Sequence, residues 1–262
     1  MLNEATVSVM YGLKLHGMAK GFEQRLASVK NAGIGHGEFV GLLVEDEKLY
    51  RENRRLQRLL GKARLRQPAA MEDINYRHAR GLSRQVMAEL SGSRWLETHR
   101  TVVLTGPTGI GKSYLACALG NHGARAGFTV QYYRAARLFE QLMQARGDGT
   151  HLKLLAKLAK VQLLIIDDLM MTPMTEDERR DFFEIVEDRY ECSSMVVSSQ
   201  CPANRWHEGI GDETIADAIC DRLFHNAYKI ELKGPSIREA KQKGTYSEGK
   251  DEGDLESGVK KR

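Results

Sequence analysis

The chain has 262 residues, 42% of them hydrophobic and 28% charged, with a formal net charge of +4 and a mean hydropathy of −0.44. That is enough chain for one or two domains with a real core, and no run of about 18 apolar residues is present to span a bilayer. Four scattered cysteines (Cys117, Cys192, Cys201, Cys220) form no CxxC pair and Met1–Thr6 has no basic stretch before an apolar one, so zinc, disulfides and a secretory leader are not expected and the chain reads as cytoplasmic.

The small net charge hides an asymmetry. Residues 1–66 carry 12 Lys and Arg against 7 Asp and Glu, and residues 67–262 carry 27 against 28. Leu13 to Val29 has helical spacing, and Gly33-Ile34-Gly35-His36-Gly37 links it to a second helical stretch, 38–66. At about 100° per residue, Arg51, Arg54, Arg55, Arg58 and Lys62 form one stripe of that second helix. Leu49, Leu56, Leu59, Leu60 and Ala63 form another. Gln67-Pro68 then breaks the pattern. The expectation is a small all-helical, basic module over 1–66, whose guanidinium groups contact the phosphate backbone of double-stranded DNA without reading bases.

From residue 101 apolar strands alternate with helices. Strands are expected over 101–105, 128–133, 161–166, 195–198 and 228–232, and helices over 112–126, 135–145, 151–160, 176–190 and 214–225. Thr175 and Glu178 form a capping box at the start of the fourth of these helices. The alternation predicts an α/β fold, a five-stranded parallel sheet between helices, over 67–241. Residues 242–262 are Gly-, Lys- and acid-rich and are expected to form a disordered charged tail.

Gly106-Pro107-Thr108-Gly109-Ile110-Gly111-Lys112-Ser113 fits GxxxxGK[ST] between a strand and a helix. Glycines let backbone N–H groups close around phosphate oxygens. Lys112 offers a point charge to the β- and γ-phosphates of ATP, Ser113 a hydroxyl to Mg²⁺, and the helix opening at Lys112-Ser113-Tyr114 its positive end. Leu163 to Ile166 is an apolar strand leading into Asp167-Asp168, 55 residues after Lys112. Asp167 is placed to hold Mg²⁺ through water. Asp168 stands where many such ATPases have a glutamate that polarises the attacking water. Being shorter by a methylene, it implies slow hydrolysis, stimulated by assembly. Gln200, with Ser199 as the alternative, is the candidate γ-phosphate sensor at the end of the fourth strand.

These motifs are similar to those of AAA+ P-loop ATPases. More narrowly, the chain resembles the IstB-like transposition helpers, relatives of the DnaC-type helicase loaders and of DnaA. The likeness rests on Asn53 to Leu60, on Glu72-Asp73-Ile74 and on Trp206-His207-Glu208 through Asp221-Arg222-Leu223 to Glu231-Leu232-Lys233-Gly234. It implies that Arg222 is an arginine finger reaching a neighbouring subunit's nucleotide, and that Arg238 is a sensor-2 arginine contacting its own. Pro235 and Ile237 replace the residues more usual before that arginine. The resemblance further implies a homo-oligomer that binds ATP between subunits, assembles on DNA and stimulates a transposase encoded by the same element. A helicase loader and a non-hydrolysing, ATP-switched DNA scaffold are the alternatives.

Overall fold

The computed structural model describes residues 2–27, 34–76, 78 and 80–237. Three helices come first: α1 (Leu2–Gly12), α2 (His16–Leu26) and α3 (His36–Ala63). Leu15 offers α2 no side-chain cap. Glu47, from the middle of α3, supplies one instead. Its Oε2 accepts from the Gly17 N–H at 2.6 Å and the Met18 N–H at 3.2 Å, and its Oε1 from Arg51 Nε at 2.6 Å. A carboxylate thus meets the positive end of α2 and satisfies two orphan donors. The approach needs Gly17, where a Cβ would run into the backbone of α3.

Burial acts to raise the pKa of Glu47, but the bonds from Arg51, Met18 and Gly17 outweigh it and hold the carboxyl below the usual glutamate range. Glu47→Ala is expected to cost about 2 kcal/mol, read as a lower urea midpoint. The contribution of Glu47 is present above its unfolded pKa and is lost as pH falls through the lower folded value.

The helix expected over 38–66 ends at Ala63, because Arg64 turns left-handed at φ 52°. Of the expected apolar stripe, Leu49 is exposed, while Leu59 and Ala63 are buried in the core of the sheet and Leu60 packs against it. α4 (Arg84–Leu90) and α5 (Arg94–Glu97), which the hydrophobic pattern does not announce, carry the chain to the sheet.

The sheet is five-stranded, in the order β2-β3-β4-β1-β5. Its strands are β1 (Thr101–Thr105), β2 (Val130–Arg134), β3 (Leu163–Leu169), β4 (Ser194–Ser199) and β5 (Ala227–Glu231), and every neighbouring pair is parallel. The helices between are α6 (Lys112–Arg125), α7 (Ala135–Gly147), α8 (His151–Ala159), α9 (Glu176–Arg189), α10 (Trp206–Ile210) and α11 (Glu213–Phe224). Side chains alternate between two cores with the period of the strand. Val102, Leu104, Leu163, Ile165 and Val196 face the layer of α6 and the end of α3. Val103, Leu164, Ile166, Met195 and Val197 face the layer of α7, α8, α9 and α11. The capping box of Thr175 and Glu178 opens α9 as expected. β2 begins two residues later than expected, because Gly127 and Phe128 donate back to Ala124 and Gly123 to close α6. β3 runs on to Leu169, for a reason that belongs to the site below.

At the end of α9, the buried Arg189 donates to the Leu158 carbonyl and to the Ser194 carbonyl, each at 2.7 Å. Burial pushes its guanidinium down to about 10, so it stays charged at neutral pH. It serves as the cation at the C-terminal end of α8. Among the described residues no helix is long and apolar enough to cross a membrane.

Candidate nucleotide-binding site

β1 delivers the chain into the loop 106–111, and α6 begins at Lys112. The backbone is left-handed at Gly106 (φ 142°), Gly109 (φ 80°) and Gly111 (φ 102°). At Gly106 a Cβ would collide with the Leu232 carbonyl oxygen, and at Gly111 it would lie 2.5 Å from an Arg80 nitrogen. Leu232 and Arg80 thus pack directly against the loop backbone, at positions that leave no room for a side chain. Lys112 is 5% exposed and arches back over the loop, donating to the Gly106 carbonyl at 2.7 Å and the Pro107 carbonyl at 2.9 Å. Ile110 is buried, Pro107 and Thr108 are exposed, and Ser113 and Tyr114 are half-buried at the start of α6.

The acidic pair lies at the same edge of the sheet. β3 and β4 keep register to Ile166–Val197, then resume at Leu169–Ser199. Asp167 and Asp168 thus share a bulge opposite Ser198. Asp168 takes a left-handed backbone, φ 58°, and its N–H donates to Ser198 Oγ at 3.1 Å. The same Ser198 hydroxyl donates to Asp167 Oδ1, and the Tyr132 hydroxyl donates to Asp167 Oδ2 at 2.5 Å. Burial first, and then its bond to the Asp167 carboxylate, push the Tyr132 hydroxyl far above the usual tyrosine range, so it remains a donor. Asp167 is fully buried and its orientation is fixed from both sides.

Two arginines face the acids. Arg66 lies 3.4 Å from Asp168 Oδ2 and 3.6 Å from Asp167 Oδ2, and Arg134 Nε lies 3.5 Å from Asp168 Oδ2. β4 separates the glycine loop from the acids and ends between them. Ser199 is turned inward, donating to the Leu169 carbonyl at 2.7 Å. Gln200 faces the loop, where its Oε1 accepts from Thr108 Oγ1 at 2.7 Å. Of the two candidates for the sensor position, Gln200 is the one whose side chain meets the glycine loop.

Arg222 is elsewhere. It sits in the last turn of α11, paired with Glu187, donating to the Ala218 carbonyl at 3.0 Å and lying 5.5 Å from the Phe183 ring centre. With Thr101 and Met195, near the starts of β1 and β4, it lines a cavity of about 260 Å³. It is thus at the sheet edge opposite the glycine loop. Arg238 lies outside the described residues, as does the tail 242–262. Just before it, the Ile237 N–H donates to the Gly109 carbonyl at 3.0 Å.

The basic stripe lies along α3. Arg51, Arg54, Arg55, Arg58 and Lys62 are all exposed. Arg51 is committed to Glu47, and Arg55 donates to the Gly127 carbonyl at 3.3 Å. Sequence reasoning missed Ser198, Tyr132, Arg66 and Arg134. Arg134 is opposite Asp167 in register and Tyr132 opposite Ile165, which becomes visible only once β2 is known to border β3.

A parallel sheet in this order, with a glycine loop leaving β1 and an acidic pair leaving β3, one strand away, defines a protein of the P-loop nucleotide-binding class. Within that class the chain belongs to the IstB-like ATP binding protein family, whose model matches residues 8–245. It is 44% identical over 238 residues to the insertion sequence ATP-binding protein y4pL of Sinorhizobium fredii, covering 91% of this chain and 97% of that one. It is 37% identical over 205 residues to the ATP-binding protein of insertion sequence IS1162 from Pseudomonas fluorescens, covering 78% and 89%. Among solved structures, DnaI matches with a TM-score of 0.53 at 22% identity, over 64% of this chain and 92% of that one. AMPPCP-bound DnaA from Aquifex aeolicus matches with 0.55 at 20%, over 70% and 56%. These likenesses concern the fold.

Proposed function

We propose that the chain is the ATP-hydrolysing helper of an insertion sequence, which assembles in an ATP-dependent way on duplex DNA with little sequence preference and stimulates a transposase of the same element in choosing its target. Residues 1–66 serve DNA contact and assembly, and 67–241 the ATPase. The observation that carries the reading is the division of the site's chemistry between two edges of the sheet. The glycine loop, Lys112, Asp167, Asp168 and Gln200 meet at one edge. Arg222 sits at the other, from which it serves a neighbour's nucleotide and not its own.

In this reading the 106–111 backbone and Lys112 hold the phosphates. Ser113 and the buried Asp167 offer the hard oxygen donors that suit Mg²⁺, which when bound neutralises charge on the β- and γ-phosphates. Asp168 accepts a hydrogen bond from the attacking water. Gln200 contacts the γ-phosphate, and a neighbour's Arg222 completes the site. Arg238 contacts the bound nucleotide.

The test is binding to unrelated duplexes across a salt series, with ATP and with ADP, followed by phosphate release. Arg54, Arg58 and Lys62 make the cleanest variants, since Arg51 and Arg55 also serve internal contacts. Each alanine is expected to weaken binding about equally on every sequence and to lower the salt slope by about one. Loss confined to one sequence would contradict backbone contact, and equal assembly with ATP and ADP would contradict ATP gating.

A further inference from the structure

Arg66 joins two parts of the molecule with different jobs. It follows the basic helix α3 by three residues, and its guanidinium lies 3.4 Å from Asp168 and 3.6 Å from Asp167. Leu59 and Ala63 are buried in the core beneath the sheet, so the end of α3 is fixed in place. Arg64 and Leu65 then carry the chain to Arg66, whose side chain is 37% exposed. The side chain is thus partly exposed, while its guanidinium interacts with both carboxylates and with the Tyr132 hydroxyl. A cation on Asp168 Oδ2 occupies an oxygen that a water molecule would need, and it lowers the oxygen's power to attract a proton.

We propose that Arg66 is a positioning residue that restrains Asp168 until duplex phosphate competes for its guanidinium. Lys62 precedes Arg66 by four residues, a chain distance of at most about 14 Å. On this proposal a duplex that lies along Arg54, Arg58 and Lys62 reaches Arg66 as well, since duplex phosphates follow one another every few ångströms. The guanidinium fork suits phosphate as well as carboxylate, so exchange of one for the other needs a side-chain swing and no movement of α3. Arg134, at the end of β2, lies 3.5 Å from the same Asp168 oxygen and stays, so departure of Arg66 removes one of two cations from the acid and the release is partial. The inference rests on the ATPase reading above and adds the route by which DNA stimulates it.

Two measurements on the full chain test it. In phosphate release without DNA, Arg66→Ala is expected to raise the basal rate about fivefold and to shrink the further gain on adding duplex, while Arg66→Lys keeps the rate low. In a nucleotide-free titration with a labelled duplex, Asp168→Asn, which weakens the hold on Arg66, is expected to bind about threefold more tightly. A basal rate in Arg66→Ala at or below wild type, with the same gain from DNA, overturns the proposal. Duplex affinity unchanged in Asp168→Asn also overturns it. A wild-type chain that hydrolyses no ATP under any condition defeats the ATPase reading alone, and the nucleotide-free titration then still decides whether Arg66 links duplex to acid. The same titration decides if Arg66→Ala does not fold.

Discussion

An Arg222→Ala chain is expected to bind ATP within about twofold of wild type and to turn it over about 10³-fold more slowly. The two halves of this expectation come from different edges of the sheet. In the proposed site, binding is set by the glycine loop and Lys112 at the strand C-termini, whereas Arg222 is at the strand N-termini, beside Thr101 and Met195. A side chain there has no access to its own chain's phosphates, so its removal leaves affinity alone. In the proposed shared site, a guanidinium brought by a neighbour would stabilise the charge that develops on the transferred phosphoryl group, so its loss is felt in the transition state only.

The fold tolerates the change. Arg222 pairs with Glu187 near the surface and covers Phe183, contacts worth about 1 kcal/mol. Mixing supplies the sharper measurement. Arg222→Ala keeps an intact loop and lacks the finger, while Lys112→Ala keeps the finger and lacks the loop. Each alone is inactive, and a mixture regains turnover where an intact loop meets an intact finger. Turnover unchanged in Arg222→Ala, or no recovery on mixing, refutes the shared site.

Much of the fold is legible in the sequence because its signals are local. The three central strands are short β-branched or apolar runs, because the middle of a parallel sheet is buried on both faces, as in Leu163 to Ile166, while the edge strands β2 and β5 mix polar with apolar residues. The glycine loop declares itself by spacing, since each glycine answers a backbone requirement at its own position. What escaped are the contacts whose partners lie far away in the chain. α2 has no capping residue of its own because Glu47, 30 residues on, caps it. Tyr132 and Ser198 look like ordinary strand residues, and their roles follow from strand order: β2 and β4 flank β3, so their side chains converge on Asp167. Arg66 lies in a run of eight basic residues between Lys48 and the proline break, and nothing local separates it from the stripe. Its departure from the stripe begins at Arg64, where the left-handed turn ends α3 and redirects the chain toward the acids.

The same logic governs Asp168. Asp168→Asn is expected to keep ATP binding and to lower turnover about 10²–10³-fold, measured as single-turnover phosphate release at saturating ATP and duplex. Asparagine preserves the shape of the site and removes the acceptor strength that a polarised water requires. It also fits the backbone, because Asn and Asp enter the left-handed region with least strain. That backbone, φ 58° in the bulge opposite Ser198, gives a physical reason for aspartate at this position. A glutamate would extend the carboxylate by a methylene toward the water, but at a left-handed residue it costs about 1 kcal/mol more. Asp168→Glu is therefore expected to stay active within about tenfold and to melt a few degrees lower. An Asp168→Asn chain that hydrolyses ATP as the wild type does would remove Asp168 from the chemistry. Glutamate with undiminished stability would show that the bulge relaxes and does not select the shorter acid.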